Sequence, residues 1–244
     1  MFLSDFPLSW SEVLFTFLIT VTASTIQGAV GIGLGFIAVP LLVLIIPDFV
    51  PGPLLLAALL LTILVSYREQ RSIDFSGIKW AISGRFIGTI IGVILLVIIA
   101  PDKLTILFGA MVLLAVLLSV SGLRLPVTPV TLVGSGTLSG LMGTTSAIGG
   151  VPLALLYQHY QGPRLRGTLS GIFVLGTIIS LVSLVYIGKF HYLEMKLALM
   201  LFPGILTGFY LSKKLAKLMD AGLIRPFVLI ISSLSGIFII MRSM

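Results

Sequence analysis

Apolar runs cut by Pro, Gly or charge recur along the chain, at about Trp10 to Gln27, Val30 to Ile46, Pro53 to Tyr67, Ile78 to Ala100 and Leu104 to Gly122. Beyond a break at Arg124, Pro126 and Pro129 a second series follows, at about Val130 to Met142, Ile148 to Tyr157, Leu165 to Ile187, Leu193 to Leu211 and Leu223 to Met241. A helix crosses a hydrocarbon core of about 30 Å with about 20 apolar residues. The pattern therefore predicts an all-α integral membrane protein with about eight to ten membrane segments. Val130 to Met142 and Ile148 to Tyr157 are too short to cross, and they flank Gly140-Leu-Met-Gly-Thr-Thr-Ser-Ala-Ile-Gly-Gly150. Such interruptions predict broken or re-entrant helices, which a bilayer tolerates where the exposed backbone is buried in protein or faces a water-filled cavity.

Composition agrees and narrows the field. Of 244 residues, 58% are hydrophobic and only 9% charged, against roughly a quarter charged in a soluble domain. A soluble globular protein is excluded. The net charge of +7 reads first as the positive-inside bias of a membrane protein and gives no reason to expect nucleic acid. Cysteine is absent and only two His occur, so disulfides, thiolate metal sites and Cys nucleophiles are excluded and no metal or cofactor is expected. The segment from Met1 to Trp10 has no Lys or Arg, unlike the basic start of a cleavable signal peptide, and the first apolar run is taken as structure.

The chain also matches itself. At an offset of 112 residues, Gly28, Gly31, Pro40 and Pro51 fall on Gly140, Gly143, Pro152 and Pro163, and Val39-Pro40-Leu41 falls on Val151-Pro152-Leu153. Further on, Gly84 and Gly88 match Gly204 and Gly208 at an offset of 120. Two membrane repeats are expected, residues 1–122 and 123–244, within one compact transmembrane domain. Each holds five apolar elements, or three crossings plus a re-entrant pair. Both counts are odd, and an odd count puts the second copy in the membrane upside down, as in many secondary transporters. With both termini outside, ten Lys and Arg fall on the cytoplasmic side and four outside, Arg85 apart. That split follows the positive-inside bias.

The candidate chemistry lies at the repeated interruptions. Glycines 28, 31, 33 and 35 would weaken a continuous helix by roughly 1 kcal/mol each in water. Unwound Gly-rich backbone presents free amides, and a helix restarting beyond it aims the positive end of its dipole at the gap. An anion site is expected there. Ser24, Thr25, Gln27, Gly28, Gly31 and Gly33 are its candidates in the first copy. Ser139, Gly140, Gly143, Thr144, Thr145 and Ser146 are those in the second, with Thr137 a further hydroxyl. Close helix packing through small residues is the other reading of each motif taken alone. Paired breaks in corresponding positions of inverted halves favour a transporter site near the midplane.

No Asp or Glu lies in the middle of a predicted span, which disfavours a carboxylate proton relay. Arg85 sits about seven residues into its span, roughly 10 Å along a helix. It either snorkels back to the headgroups or attracts anions inside a cavity. His159 and His191 are expected in loops on opposite sides, and the Trp and Tyr residues near span ends are expected as interfacial anchors. The Gly-rich stretches are not nucleotide fingerprints, because no strand precedes them and no Gly-Lys-Ser or Gly-Lys-Thr occurs.

The repeated Gly-rich element followed by a Pro-hydrophobic run, Gly28 to Leu42 and Gly140 to Leu155, together with the size and two-half build, resembles the sulfite exporter family, also called TauE/SafE. The resemblance covers nearly the whole chain. It implies an inner-membrane secondary transporter, an exporter of sulfite, organosulfonates and related small sulfur-containing anions, with the segments around Gly28 and Gly140 lining the substrate path. Its partners would be the small anion and the lipid bilayer, and a homo-oligomer is allowed for. Two alternatives stand beside it: an integral-membrane enzyme acting on a phosphorylated or lipid substrate, and a non-transporting membrane subunit. The first would need an acid, base or nucleophile near the breaks, and Thr144, Thr145 and Ser146 have no base beside them in sequence.

Overall fold

The computed structural model describes residues 8–100, 103–123, 125–160, 162–219, 233, 236–238 and 241. Those residues form α-helices and no strands: α1 (Trp10–Val30), α2 (Leu34–Ile45), α3 (Gly52–Arg68), α4 (Ile78–Ile98), α5 (Leu104–Val120), α6 (Pro129–Ser146), α7 (Gly150–Leu156), α8 (Gly162–Tyr186) and α9 (Tyr192–Met219). Most of the apolar segment from Leu223 to Met241 falls outside the described residues.

Five stretches are long and apolar enough to cross a membrane: α1, α3 with the short turn of helix before it, α4, α8 and α9. Their outward faces fit a hydrocarbon solvent. On α4 the exposed side chains include Phe86, Ile87, Ile90, Ile94 and Val97. The interior combines an aliphatic core, with Leu34, Leu42, Leu54 and Leu61 fully buried, with small polar side chains, Thr16, Thr20, Ser24, Thr89, Ser139, Thr144 and Ser180. An apolar outer face with polar side chains kept inside is what a membrane protein needs, since lipid cannot satisfy polar groups and close packing through small residues helps to hold the helices together. The chain is an integral membrane protein.

The glycine seams set helix direction. A Cβ on Gly204 would strike Thr20, one on Gly208 would strike Ser24, and one on Gly28 would strike Ser212. The contacts advance together, so α1 and α9 run parallel. Likewise Gly84 rests on the Val133 carbonyl and Gly88 on the Thr137 carbonyl, so α4 and α6 run parallel. Leu55, near the start of α3, packs with Leu184, near the end of α8, while Gly167 at the start of α8 touches Glu69 at the end of α3. These two helices run antiparallel. Both glycine seams join an element of residues 1–122 to one of residues 123–244.

α2 and α7 are the short members. Twelve residues reach about 18 Å and seven about 10 Å, too little to cross. α1 ends where Gly31 takes φ 101° and Gly33 φ 142°, both in the left-handed region that glycine enters without steric penalty. α6 ends at Ala147, whose φ is 59°. The left-handed cost for a residue with a Cβ is about 1–2 kcal/mol, and the surrounding packing holds it. The two turns meet, for a Cβ on Gly35 would overlap the Ala147 carbonyl.

Candidate functional site

A cavity of about 740 Å³ opens where the two breaks meet. Gln27 and Gly33 line it from the first break and Gly143, Ala147 and Gly149 from the second, with α3 and α8 closing the sides. Most of the remaining wall is aliphatic. Its charged lining consists of two guanidiniums, Arg85 from α4 and Arg166 from α8.

Arg85 is 2% exposed, so it does not snorkel. Its side chain turns inward because glycines clear its route: a Cβ on Gly176 would overlap the guanidinium, and Gly136 and Gly140 fit against the Arg85 backbone. Nη1 donates to Ser139 Oγ at 2.7 Å. Ser139 Oγ in turn donates to the Gly149 carbonyl, which fixes the second break to the arginine. The guanidinium lies 5.5 Å from the Phe173 ring centroid. Arg85 Nε is buried and has no hydrogen-bond partner, and no carboxylate among the described residues forms a salt bridge with Arg85. A buried cation left this way is costly unless an anion completes it.

Gln27 is used structurally as well as lining the cavity. Its Oε1 accepts from the Leu34 amide at 2.9 Å, capping the restart of the chain as α2.

A family model described as sulfite exporter TauE/SafE matches residues 16–239. The chain belongs to the TauE/SafE family. Members of the family are membrane transporters and not enzymes, which removes the enzymatic alternative. No curated protein and no solved structure matches the chain.

The expected site residues of this TauE/SafE chain separate into two groups. Gln27, Gly33, Gly143 and Arg85 line the cavity. Ser139 and Gly140 hold Arg85 from behind, and Gly31 packs against Arg166, whose Cα a Cβ there would approach to 3.3 Å. The other hydroxyls bond away from the cavity. Ser24 Oγ donates to the Thr20 carbonyl at 2.6 Å and the Gly204 carbonyl at 3.1 Å, and Thr25 donates to Val21 O at 2.7 Å. Thr145 donates to Leu141 O and Ser146 to Met142 O, each at 2.8 Å, while Thr137 bonds Val133 O at 2.9 Å. Thr144 Oγ1 sits between Thr89 Oγ1 at 3.1 Å and Ser180 Oγ at 2.8 Å, tying α6 to α4 and α8. Gly28 lies in the α1 and α9 seam.

Three charged residues read from sequence only as cytoplasmic loop charges or span ends are part of the assembly: Arg68, Glu69 and Arg166. Arg166 is 7% exposed and lies inside α8. The available signal was Gly162-Pro163, since Pro favours the first turn of a helix and moves the start of α8 back from Leu165 to Gly162, a turn ahead of Arg166. Nearby, Asp74 Oδ2 accepts from Tyr160 at 2.6 Å and from Arg164 at 2.7 Å. The hydrogen bonds from Tyr160, Ser76 and Arg164 hold the Asp74 carboxyl well below the usual carboxylate range, so it is a fixed negative charge behind Tyr160, which lines the cavity.

Proposed function

We propose that this protein is a secondary transporter that exports small sulfur-containing anions, sulfite or organosulfonates, across the inner membrane. It works by alternating access of two inverted repeats, residues 1–122 and 123–244, around an anion site at the meeting of the two breaks. The observation that carries this reading is the buried Arg85, a guanidinium without a salt-bridge partner among the described residues, in the lining of a cavity that has no carboxylate in its wall. A substrate oxyanion supplies the missing charge from the side of the two Nη atoms, where Gly143 and Gly149 leave room beside the guanidinium.

The inverted reading is supported by the antiparallel course of α3 and α8 and by the matching parallel seams of α1 with α9 and α4 with α6, which are the same pairing seen from each half. Sidedness is supported by charge. Arg68, Arg71, Lys79, Lys213 and Lys214 belong to the end of the molecule where α3 finishes, and Lys103, Lys189 and Lys196 to the opposite end. The first end is read as cytoplasmic, which agrees with an N-terminus outside; the C-terminus is read as outside because the apolar run Leu223 to Met241 is taken from sequence as one further crossing.

Flux in proteoliposomes with a panel of small anions tests the class of substrate. The site is tested by anion-induced thermal stabilisation of the parent and of Arg85→Gln at two ionic strengths. The parent shift should exceed that of the variant and fall with salt. Identical shifts under both conditions would remove Arg85 from the site.

A further inference from the structure

At the end of the cavity where α3 finishes, a second charged group stands apart from Arg85. Glu69 Oε1 accepts from Arg68 Nε at 3.0 Å and from Arg166 Nε at 3.1 Å. The same guanidiniums reach the last turn of α1. Arg68 Nη2 donates to the Gly28 carbonyl, and Arg166 Nη1 donates to the Ala29 carbonyl at 3.1 Å. Arg68 Nη1 also donates to Ser212 Oγ at 2.9 Å. One carboxylate therefore ties α3 to α8, and the two cations beside it carry the tie to α1 and α9, directly below the first break.

Charge at this joint does not balance. Two arginines face one glutamate, and Lys213 adds a further positive charge on the Phe209 ring that Arg68 also covers. Asp74 and Arg164, the next charged pair, are bonded to one another and to Tyr160. Arg166 nonetheless lines the cavity, so an anion moving through that space meets it. Gly176, which clears the Arg85 guanidinium, lies ten residues beyond Arg166 on α8. The two cations are thus served from points roughly 15 Å apart along one helix.

We propose that Arg166 is a second anion station on the substrate path, and that Glu69 is the built-in carboxylate that occupies it until an anion displaces it. This rests on the reading of the cavity as an anion path. An anion arriving at Arg166 takes the place of Glu69 there, while Glu69 keeps Arg68. The tie between α3 and α8 opens with the anion at the joint, and it closes when the carboxylate returns behind the departing ion. Exchange between a mobile and a tethered anion keeps the station weak enough to release, as conduction past several sites requires.

The test uses the full-length protein with sulfite as probe, reading thermal stabilisation for affinity and proteoliposome flux for turnover. Glu69→Gln removes the competitor, so sulfite should bind several-fold tighter and leave more slowly, lowering flux. Arg166→Gln should weaken binding, and the double variant should lose the gain seen with Glu69→Gln. A purely structural salt bridge would lower thermal stability in all three and raise affinity in none. The proposal is overturned if Glu69→Gln binds sulfite no tighter than the parent, or if the gain persists without Arg166. Should Glu69→Gln fail to fold, Glu69→Asp keeps the charge with a shorter reach, and a smaller gain in the same direction is expected; none overturns the proposal. Arg85→Gln, measured in parallel, separates the two readings. If the parent binds sulfite and Arg85→Gln does not, the site at Arg85 stands whatever Glu69 does. If the parent binds neither sulfite nor an organosulfonate, the anion path falls and the station with it.

Discussion

Arg85 and Ser139 are joined by a 2.7 Å hydrogen bond from Nη1 to Oγ, across the seam of α4 and α6 and 54 positions apart in the chain. Because Ser139 passes its own hydrogen to the Gly149 carbonyl, the second break and the buried cation are tied through one hydroxyl. Ser139→Ala would leave one donor of a charged group and one carbonyl unpaired, a loss of about 1–3 kcal/mol of stability. Anion affinity should fall with it, and the effect should be non-additive with Arg85→Gln in a double-mutant cycle on thermal shift. Additive losses would show that Ser139 acts independently of the arginine.

Thr144 makes the contrast. Its hydroxyl is bonded to Thr89 and Ser180 and does not line the cavity. Thr144→Val should cost about 1 kcal/mol in stability, while anion affinity stays at the parent value. Reduced affinity in a normally folded Thr144→Val would return that hydroxyl to the site.

The seams predict where small residues are needed. Gly88→Ala places a Cβ on the Thr137 carbonyl and Gly208→Ala one on Ser24, and each should destabilise by about 1–3 kcal/mol through overpacking. Gly134, with nothing within 4 Å of an added Cβ, is the control. Gly134→Ala should be neutral, or more stable by up to about 1 kcal/mol from helix propensity, in the same thermal unfolding experiment.

Asp74 gives a pH prediction. Its carboxyl is held well below the usual range by Tyr160, Ser76 and Arg164. A lowered value in the folded state stabilises fully above the unfolded value, about 3.9, and the stabilisation is lost as pH falls from there toward the folded value. The Tm difference between the parent and Asp74→Asn should therefore hold constant from about pH 7 to about 5 and shrink below about 4. A difference that widens on acidification would contradict the arrangement.

Sidedness is testable because the chain has no cysteine. Ser72→Cys and His191→Cys, at opposite ends of the molecule, should react with a membrane-impermeant thiol reagent from opposite sides, Ser72→Cys from the cytoplasm. Reaction from the same side would end the topology.

The sequence by itself determined the solvent, the class of element and the places where helices stop. Runs such as Ile78 to Ala100 are too apolar for water, and apolar length and glycine are local properties that act within a few turns of their own position. The ending of α1 at Gly31 was legible for that reason, whereas α6 runs through Gly140 and Gly143 to Ser146, past the Met142 at which its apolar run was read to stop. Direction and partnership were decided by the tertiary structure, because they depend on residues far apart in the chain. The depth of Arg85 could be counted along its helix, but whether it points to lipid or inward depended on Gly176, 91 positions away. Thr144 and Gln27 carry similar donors, and only packing sent one to Ser180 and the other to the cavity wall. Arg166 stands near the start of its apolar run in the sequence, and its pairing with Glu69 from α3, 97 positions away, exists only in the folded chain. A side chain's type is encoded at its own position, whereas its burial, partner and electrostatic role are set by whichever helix packs against it.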